Sequence, residues 1–139
     1  MRPAALVTAF ILLVVVGVTA WWQTGSRWRG DQYCFTQPGR VWGTAPMPAG
    51  ATPSCPASQG VRREVRRGET RVEQFTLSTW QPRALQDALV AEGFTVTRAR
   101  PDDGIQVEAM LTRAGETVLY TAAHQGEGTF VTLSSSGQR

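Results

Sequence analysis

The strongest constraint on this chain is an uncharged apolar run near its N-terminus. Residues 4–22 carry no charged side chain and are dense in leucine, valine and alanine. As an α-helix this run would rise roughly 28 Å, close to the thickness of the hydrocarbon core of a bilayer. A small soluble domain has little use for a helix that is apolar on all sides. We therefore predict that residues 1–22 form a transmembrane anchor.

A cleaved signal peptide is the alternative interpretation of the same segment. Arg2 would be its short basic region, and Val18-Thr19-Ala20 would be its small-residue cleavage site. The length of the run and the pair Trp21-Trp22 favour an uncleaved anchor, because tryptophan rings prefer the membrane–water interface. The first cysteine, Cys34, lies too far beyond Ala20 to indicate a lipoprotein.

Residues 23–60 form a segment rich in glycine and proline. It holds six glycines and five prolines and has no apolar period of 2 or 3.6 residues. Proline removes backbone donors and glycine raises the entropic cost of ordering, so we predict a linker with local order only. Four of its aromatic residues are candidates for docking on a partner or on the bilayer interface, and they could equally pack against the following domain. They are Trp28, Tyr33, Phe35 and Trp42.

The cysteines bear on the location of the chain. Cys34 and Cys55 are the only two, and they bracket part of the linker. A disulfide between them would stabilise the fold by roughly 3 kcal/mol, and such a bond persists in an oxidising compartment. The alternative is two unrelated free thiols. Together, the anchor and the disulfide predict a single-pass protein of the cytoplasmic membrane with its C-terminal domain outside the cytoplasm.

The alternation of apolar residues from residue 61 onward indicates a folded domain over residues 61–139. Residues 61–67 and 72–79 are predicted to form a hairpin of two strands. A helix follows over residues 83–92, because Leu85, Ala88 and Leu89 repeat at helical spacing between Pro82 and Gly93.

Strands are then predicted over residues 94–100, 105–112, 118–122 and 130–134, with turns between them. Short turns connect antiparallel neighbours. The predicted fold class is α+β, an antiparallel sheet with one helix packed on a face, in the order β-β-α-β-β-β-β.

Five arginines form a basic cluster at the start of this domain: Arg62, Arg63, Arg66, Arg67 and Arg71. They could bind anionic lipid headgroups, a polyanion or an acidic partner. Equally, they could protect an edge strand from pairing with another chain. Residues 61–71 carry five arginines and two glutamates (+3), whereas residues 72–139 carry five arginines and eight acidic residues (−3). Because the rest of the domain is acidic, nucleic acid is not an expected partner.

The exclusive use of arginine has a simpler origin than phosphate binding. All 14 basic residues are arginine, and the chain has neither lysine nor asparagine. We interpret this composition as the codon usage of a GC-rich bacterial genome.

No catalytic constellation is apparent. His124 is the only histidine and lies at a predicted strand end. The segment Pro101-Asp102-Asp103-Gly104 is typical of a turn, and Gly126-Glu127-Gly128 lacks the strand–loop–helix context of a phosphate loop. We expect no enzymatic activity, cofactor or metal. A pocket that collects Glu108, Tyr120 and His124 would overturn this expectation.

One combination of segments resembles a recurrent pattern. The basic cluster, the run Phe75-Thr76-Leu77 and the helix that leads through Gly93-Phe94 into a strand look like those of small exported, membrane-anchored bacterial domains. The resemblance covers about residues 60–135. It implies an α+β fold and an extracytoplasmic location, and no activity. The segment with Cys34 and Cys55 departs from that pattern.

Taken together, these features predict a membrane-anchored envelope protein with a non-catalytic domain that binds another envelope protein. One alternative is a module that binds a lipid or small apolar ligand between the helix and the sheet. Another is attachment to an anionic membrane surface through the basic cluster.

Overall fold

The computed structural model describes residues 3–136. The chain divides into two compact units, Met1–Tyr33 and Cys34–Arg139. The first unit is dominated by helix α1 (Pro3–Arg27). Its segment Val7–Arg27 is long and apolar enough to cross a membrane, and none of it is buried. The predicted apolar helix is therefore present, and it continues past Trp22 to Arg27.

The second unit is an antiparallel sheet with two further helices and a small hairpin. The hairpin consists of β1 (Arg40–Val41) and β2 (Ala45–Pro46). The remaining elements follow in chain order: β3 (Thr52–Ser54), α2 (Gln59–Arg67), β4 (Thr70–Leu77), α3 (Ala84–Ala91), β5 (Thr95–Ala99), β6 (Gln106–Arg113), β7 (Glu116–Gln125) and β8 (Gly128–Ser136). The six-stranded sheet has the spatial order β3-β4-β8-β7-β6-β5. The α+β class with an antiparallel sheet is thus confirmed.

One face of the sheet carries the hydrophobic core. Successive side chains of a strand point to opposite faces, so Phe75, Val131 and Ala122, which are neighbours in the register, share one face. All three are buried. Helix α3 lies over this face and contacts the β1–β2 hairpin, so that helix and hairpin together cover the core. We refer to this surface as the core face.

Helix α3 ends as its sequence predicts. Leu85 and Leu89 are fully buried. The N–H of Phe94 donates to the carbonyl of Leu89, and Gly93 takes a φ of 95°. A left-handed residue at this position is favourable for glycine, which has no Cβ. The helix therefore stops where the chain must turn into β5.

The predicted strand at residues 61–67 is wrong, because this segment is helix α2. Ser58 is its N-cap and accepts a hydrogen bond from the N–H of Val61. Gly68 closes the helix with a φ of 72°, and the N–H of Glu69 donates to the carbonyl of Glu64. Val61 and Val65 are four residues apart, a spacing that suits one side of a helix as well as one face of a strand. The capping residues decide between the two.

The predicted linker contributes to the fold more than its composition suggests. Residues 34–58 belong to the second compact unit, and they supply the β1–β2 hairpin and strand β3. Strand β3 pairs with β4 at one edge of the sheet. It contains Pro53, which an edge strand tolerates because one side of its backbone needs no partner. From residue 52 the observed order is β-α-β-α-β-β-β-β.

Candidate functional site

The predicted disulfide is present. Cys34 and Cys55 are joined, with a Cα–Cα distance of 5.8 Å. The bond ties the start of the second unit to the residue that follows β3, and the N–H of Cys34 also donates to Sγ of Cys55 at 3.0 Å. The segment that it closes carries the β1–β2 hairpin. The disulfide thus restrains the β1–β2 hairpin, which covers part of the core.

Four arginines of the predicted basic cluster lie together on helix α2. Arg63, Arg66 and Arg67 are exposed, and Arg62 is half-buried. Residues three and four apart are neighbours on a helix surface, so the four guanidinium groups form one basic strip. Helix α2 contacts β4, and Val61 and Val65 are half-buried. We call the side chains of Arg62, Arg63, Arg66 and Arg67 the arginine strip.

Arg71 is separated from the arginine strip and belongs to a partly buried network on the core face. Its guanidinium lies 3.4 Å from a carboxylate oxygen of Glu73 and 3.5 Å from one of Glu116. It also stacks over the ring of Trp42, at 4.1 Å from the centroid. The positive charge of Arg71 is therefore engaged within the fold.

The Glu73 carboxylate is the fully buried member of this network. Its side chain is 1% exposed, and its Oε2 accepts the backbone N–H of Trp42 at 2.6 Å. Trp42 has a φ of 54°, a left-handed conformation that is uncommon for a bulky residue. Its indole Nε1 donates to Glu116 at 2.7 Å. The two carboxylates thus hold both ends of a residue at the tip of the β1–β2 hairpin.

Burial governs the protonation of Glu73. Removal from water raises the pKa of its carboxyl above the ordinary value of 4.5, because the charged form is disfavoured there. The N–H of Trp42 and the charge of Arg71 act in the opposite direction. The upward shift remains, so the fold favours the protonated form more than an unfolded chain does.

The aromatic docking candidates lie in different surroundings. Tyr33, Phe35 and Trp42 are buried. The Phe35 ring meets Phe75 edge-on, with centroids 5.4 Å apart. Trp28 is half-buried, and Arg27 lies over its ring at 5.1 Å. The rings of Phe35 and Trp42 therefore serve the interior of the domain and are not available as a docking surface.

The sheet face opposite the core face is largely open. Val72 points to this side, away from Phe75, and is buried where α2 contacts β4. Towards the middle of the sheet, Leu119 is 47% exposed. Its neighbours on this face are mostly half-buried and mostly uncharged: Gln74, Thr76, Met110, Thr121, Ala123, Phe130, Thr132 and Ser134. We call this surface the open face.

The residues considered for catalysis do not share a site. Tyr120 lies on the core face, and its hydroxyl donates to the carbonyl of Pro82 at 2.7 Å. Glu108 is paired with Thr121 in the register, one position away from Tyr120, and therefore points to the open face. His124 is exposed and stacks on Trp80, with ring centroids 3.6 Å apart.

The acidic turn is explained by backbone hydrogen bonds. Asp102 accepts the N–H of Gly104, and Asp103 accepts those of Ile105 and Gln106. The N–H groups of Gln106 and Ile105 lower the pKa of the Asp103 carboxyl. Within residues 3–136, no group of three His, Cys, Asp or Glu side chains is placed to hold a metal ion.

Comparison of the chain with protein-family models, with curated proteins and with solved structures finds no match. The surfaces described above are therefore the basis for inferring a function. Sequence reasoning missed the network around Glu73, although a signal for it was present. Glu73 alternates with Phe75 and Leu77 in one strand, and this period of two predicts a carboxylate on the core face.

Proposed function

We propose that this chain is a single-pass membrane protein whose disulfide-bonded domain lies outside the cytoplasm and binds another envelope protein through the open face. The apolar helix α1 supports the anchor. Trp21 and Trp22 lie near its C-terminal end, and tryptophan rings favour the membrane–water interface. The Cys34–Cys55 bond supports an oxidising surrounding for the domain.

The observation that carries the binding proposal is the composition of the open face. A solvated face of an antiparallel sheet usually alternates polar residues with the buried ones. Here the central positions are threonine, serine and alanine around the exposed Leu119, with Met110 and Phe130 nearby. Depletion of charge together with methionine and aromatic residues is typical of the centre of a protein interface. The charged residues on this side of the sheet lie towards the β5 edge: Glu108 pairs with Arg100, and the exposed Arg98 lies opposite Met110 in the register.

A small apolar ligand between α3 and the sheet is the weaker candidate. The side chains that meet there, including Leu85, Leu89 and Tyr120, have 0% exposure. Close packing of these groups favours a structural core over a ligand site. The open face therefore remains the surface that best supports a function.

Site-specific photocrosslinking in cells tests the proposal. A photoreactive amino acid at position 119 should form a discrete crosslinked product, whereas the same group at position 90 should not. Val90 is a matched control because it is 42% exposed on α3, close to the 47% of Leu119. The substitution Leu119→Arg, which places a charge in the centre of the face, should abolish crosslinking from position 121. Equal products from positions 119 and 90 would contradict the proposal.

A further inference from the structure

The arginine strip on α2 is a charged surface that the proposed function does not use. On the strip, Arg62 and Arg66 are four residues apart, as are Arg63 and Arg67. Like charges at this spacing destabilise a helix. An anionic counterpart would relieve the repulsion between these pairs.

The segment that carries the four arginines also holds two acidic side chains, Glu64 and Glu69. Glu69 lies 3.9 Å from Arg67, in a pair whose side chains are 69% and 54% exposed for the arginine and glutamate respectively. A pair this exposed is strongly screened by water. Glu64 lies on α2 itself, and its Oε2 accepts the Thr70 hydroxyl at 3.4 Å. Four arginines and two glutamates leave residues 59–69 with a net charge of +2.

The charge of the domain is polarised. Residues 72–139 carry a net charge of −3, so they repel the anion that the arginine strip attracts. Helix α2 is therefore the part of the domain that an anionic surface attracts most strongly.

We infer that the arginine strip binds the phosphate groups of anionic phospholipids in the membrane that anchors the chain. Guanidinium groups match phosphate oxygens in geometry and charge. Because the valines of α2 are half-buried on the domain, the helix offers its charges without an apolar side to insert into the bilayer. The inference rests on the membrane anchor proposed above, because a tether keeps the local concentration of the surface high.

Hydrogen–deuterium exchange of the full-length chain in lipid nanodiscs tests this inference. Discs of phosphatidylcholine alone are compared with discs to which phosphatidylglycerol is added. Amides of Gln59–Arg67 should exchange at least tenfold more slowly in the anionic discs, because each arginine near an anionic surface strengthens binding of the helix roughly fivefold and two of them together give about 25-fold. High salt should remove the difference, since it screens exposed charges.

A charge-matched pair of variants separates the strip from net charge. Arg63→Gln with Arg67→Gln should reduce this slowing at least fivefold, because it removes two of the four arginines, each of which contributes roughly fivefold to binding. Arg83→Gln with Arg98→Gln removes the same charge from exposed positions outside α2 and should leave the slowing intact. Thermal unfolding midpoints of both variants serve as the check on folding.

Three outcomes would overturn the inference. Equal exchange of α2 in the two kinds of wild-type disc would exclude a contact with anionic headgroups. Equal loss of slowing in both variant pairs would assign the effect to net charge. Slowing by soluble polyphosphate without slowing by anionic discs would identify a polyanion as the ligand. Failure of the chain to enter discs at all would instead contradict the anchor, which distinguishes the two proposals.

Discussion

Replacement of Glu73 by alanine should destabilise the domain far more than an ordinary surface substitution. Its carboxylate is fully buried and accepts the N–H of Trp42 at 2.6 Å. Without Glu73, that N–H has no acceptor at the tip of the β1–β2 hairpin, where Trp42 keeps its left-handed conformation. The hairpin covers part of the core, so its loosening affects the whole domain.

The expected loss in the free energy of unfolding depends on which partners Trp42 and Arg71 keep in the variant. A buried donor left without an acceptor costs about 1–3 kcal/mol, and breaking a buried ion pair costs about 3–5 kcal/mol. Arg71 keeps a second carboxylate, because Glu116 lies 3.5 Å away. The lower end of the ion-pair range therefore applies, and we expect a loss of about 3 kcal/mol in the free energy of unfolding.

The assay is urea unfolding of the full-length chain in detergent micelles, followed by near-ultraviolet circular dichroism. Glu108→Ala is the matched control, since Glu108 also lies on the sheet and pairs with Arg100 at 3.0 Å. That distance is shorter than the 3.4 Å between Glu73 and Arg71. In the Glu108 pair, however, the glutamate is half-buried and the arginine is exposed, with side chains 30% and 76% accessible. Water therefore screens this pair, and its loss should cost less than about 1 kcal/mol.

Comparison of the two variants shows whether the burial of the glutamate or its distance from the arginine determines the loss in the free energy of unfolding. If Glu73→Ala costs no more than Glu108→Ala, the reasoning is refuted. If Glu73→Ala fails to fold, the urea unfolding of Glu73→Gln is measured in its place. The amide retains an acceptor oxygen for Trp42 and removes the buried charge, so its stability should lie within about 1 kcal/mol of the native chain near neutral pH.

Three further predictions follow from the same packing. Replacing Cys34 and Cys55 together by alanine should cost about 3 kcal/mol in urea unfolding, because the bond closes a loop with a sequence separation of 21; a loss below about 1 kcal/mol would contradict the loop-closure argument. Gly128→Ala should lower the thermal midpoint, since a Cβ there would strike the Leu77 carbonyl on the neighbouring strand, and an unchanged midpoint would show that β8 can shift. Because the fold raises the pKa of Glu73, the protonated carboxyl stabilises the domain. This stabilisation is complete below pH 4.5 and is lost as the pH rises through the pKa of Glu73 in the folded state. Stability of the native chain relative to Glu73→Gln should therefore fall as pH rises above 4.5, and a difference that is independent of pH would contradict this.

Much of the fold could be predicted because its signals are local. Helix α3 is specified by the apolar repeat of Leu85 and Leu89 and by Gly93 at its end. The last four strands are specified by alternation and by turns such as the one at Asp102 and Asp103. Each of these signals acts within about one turn or one hairpin of the chain.

Helix α2 shows where such signals become ambiguous. Val61 and Val65 fit a period of two and a helical period equally well, and alternation with arginine favoured the strand. Ser58 and Gly68 lie at the two ends and identify a helix through its caps. Hydrophobic period alone was insufficient here, because the segment is short and no residue in it is fully buried.

The sequence by itself determined the apolar helix α1, the α+β class and the cysteine pair, because composition, period and residue type are properties of neighbouring positions. Only the tertiary structure decided that β4 pairs with β8 and that the segment from Cys34 onward completes the core. It also divided the five arginines, placing Arg71 between Glu73 and Glu116 and leaving the other four on α2. These outcomes depend on contacts between residues far apart in the chain, whose energies are set by burial and by partners that no local pattern specifies.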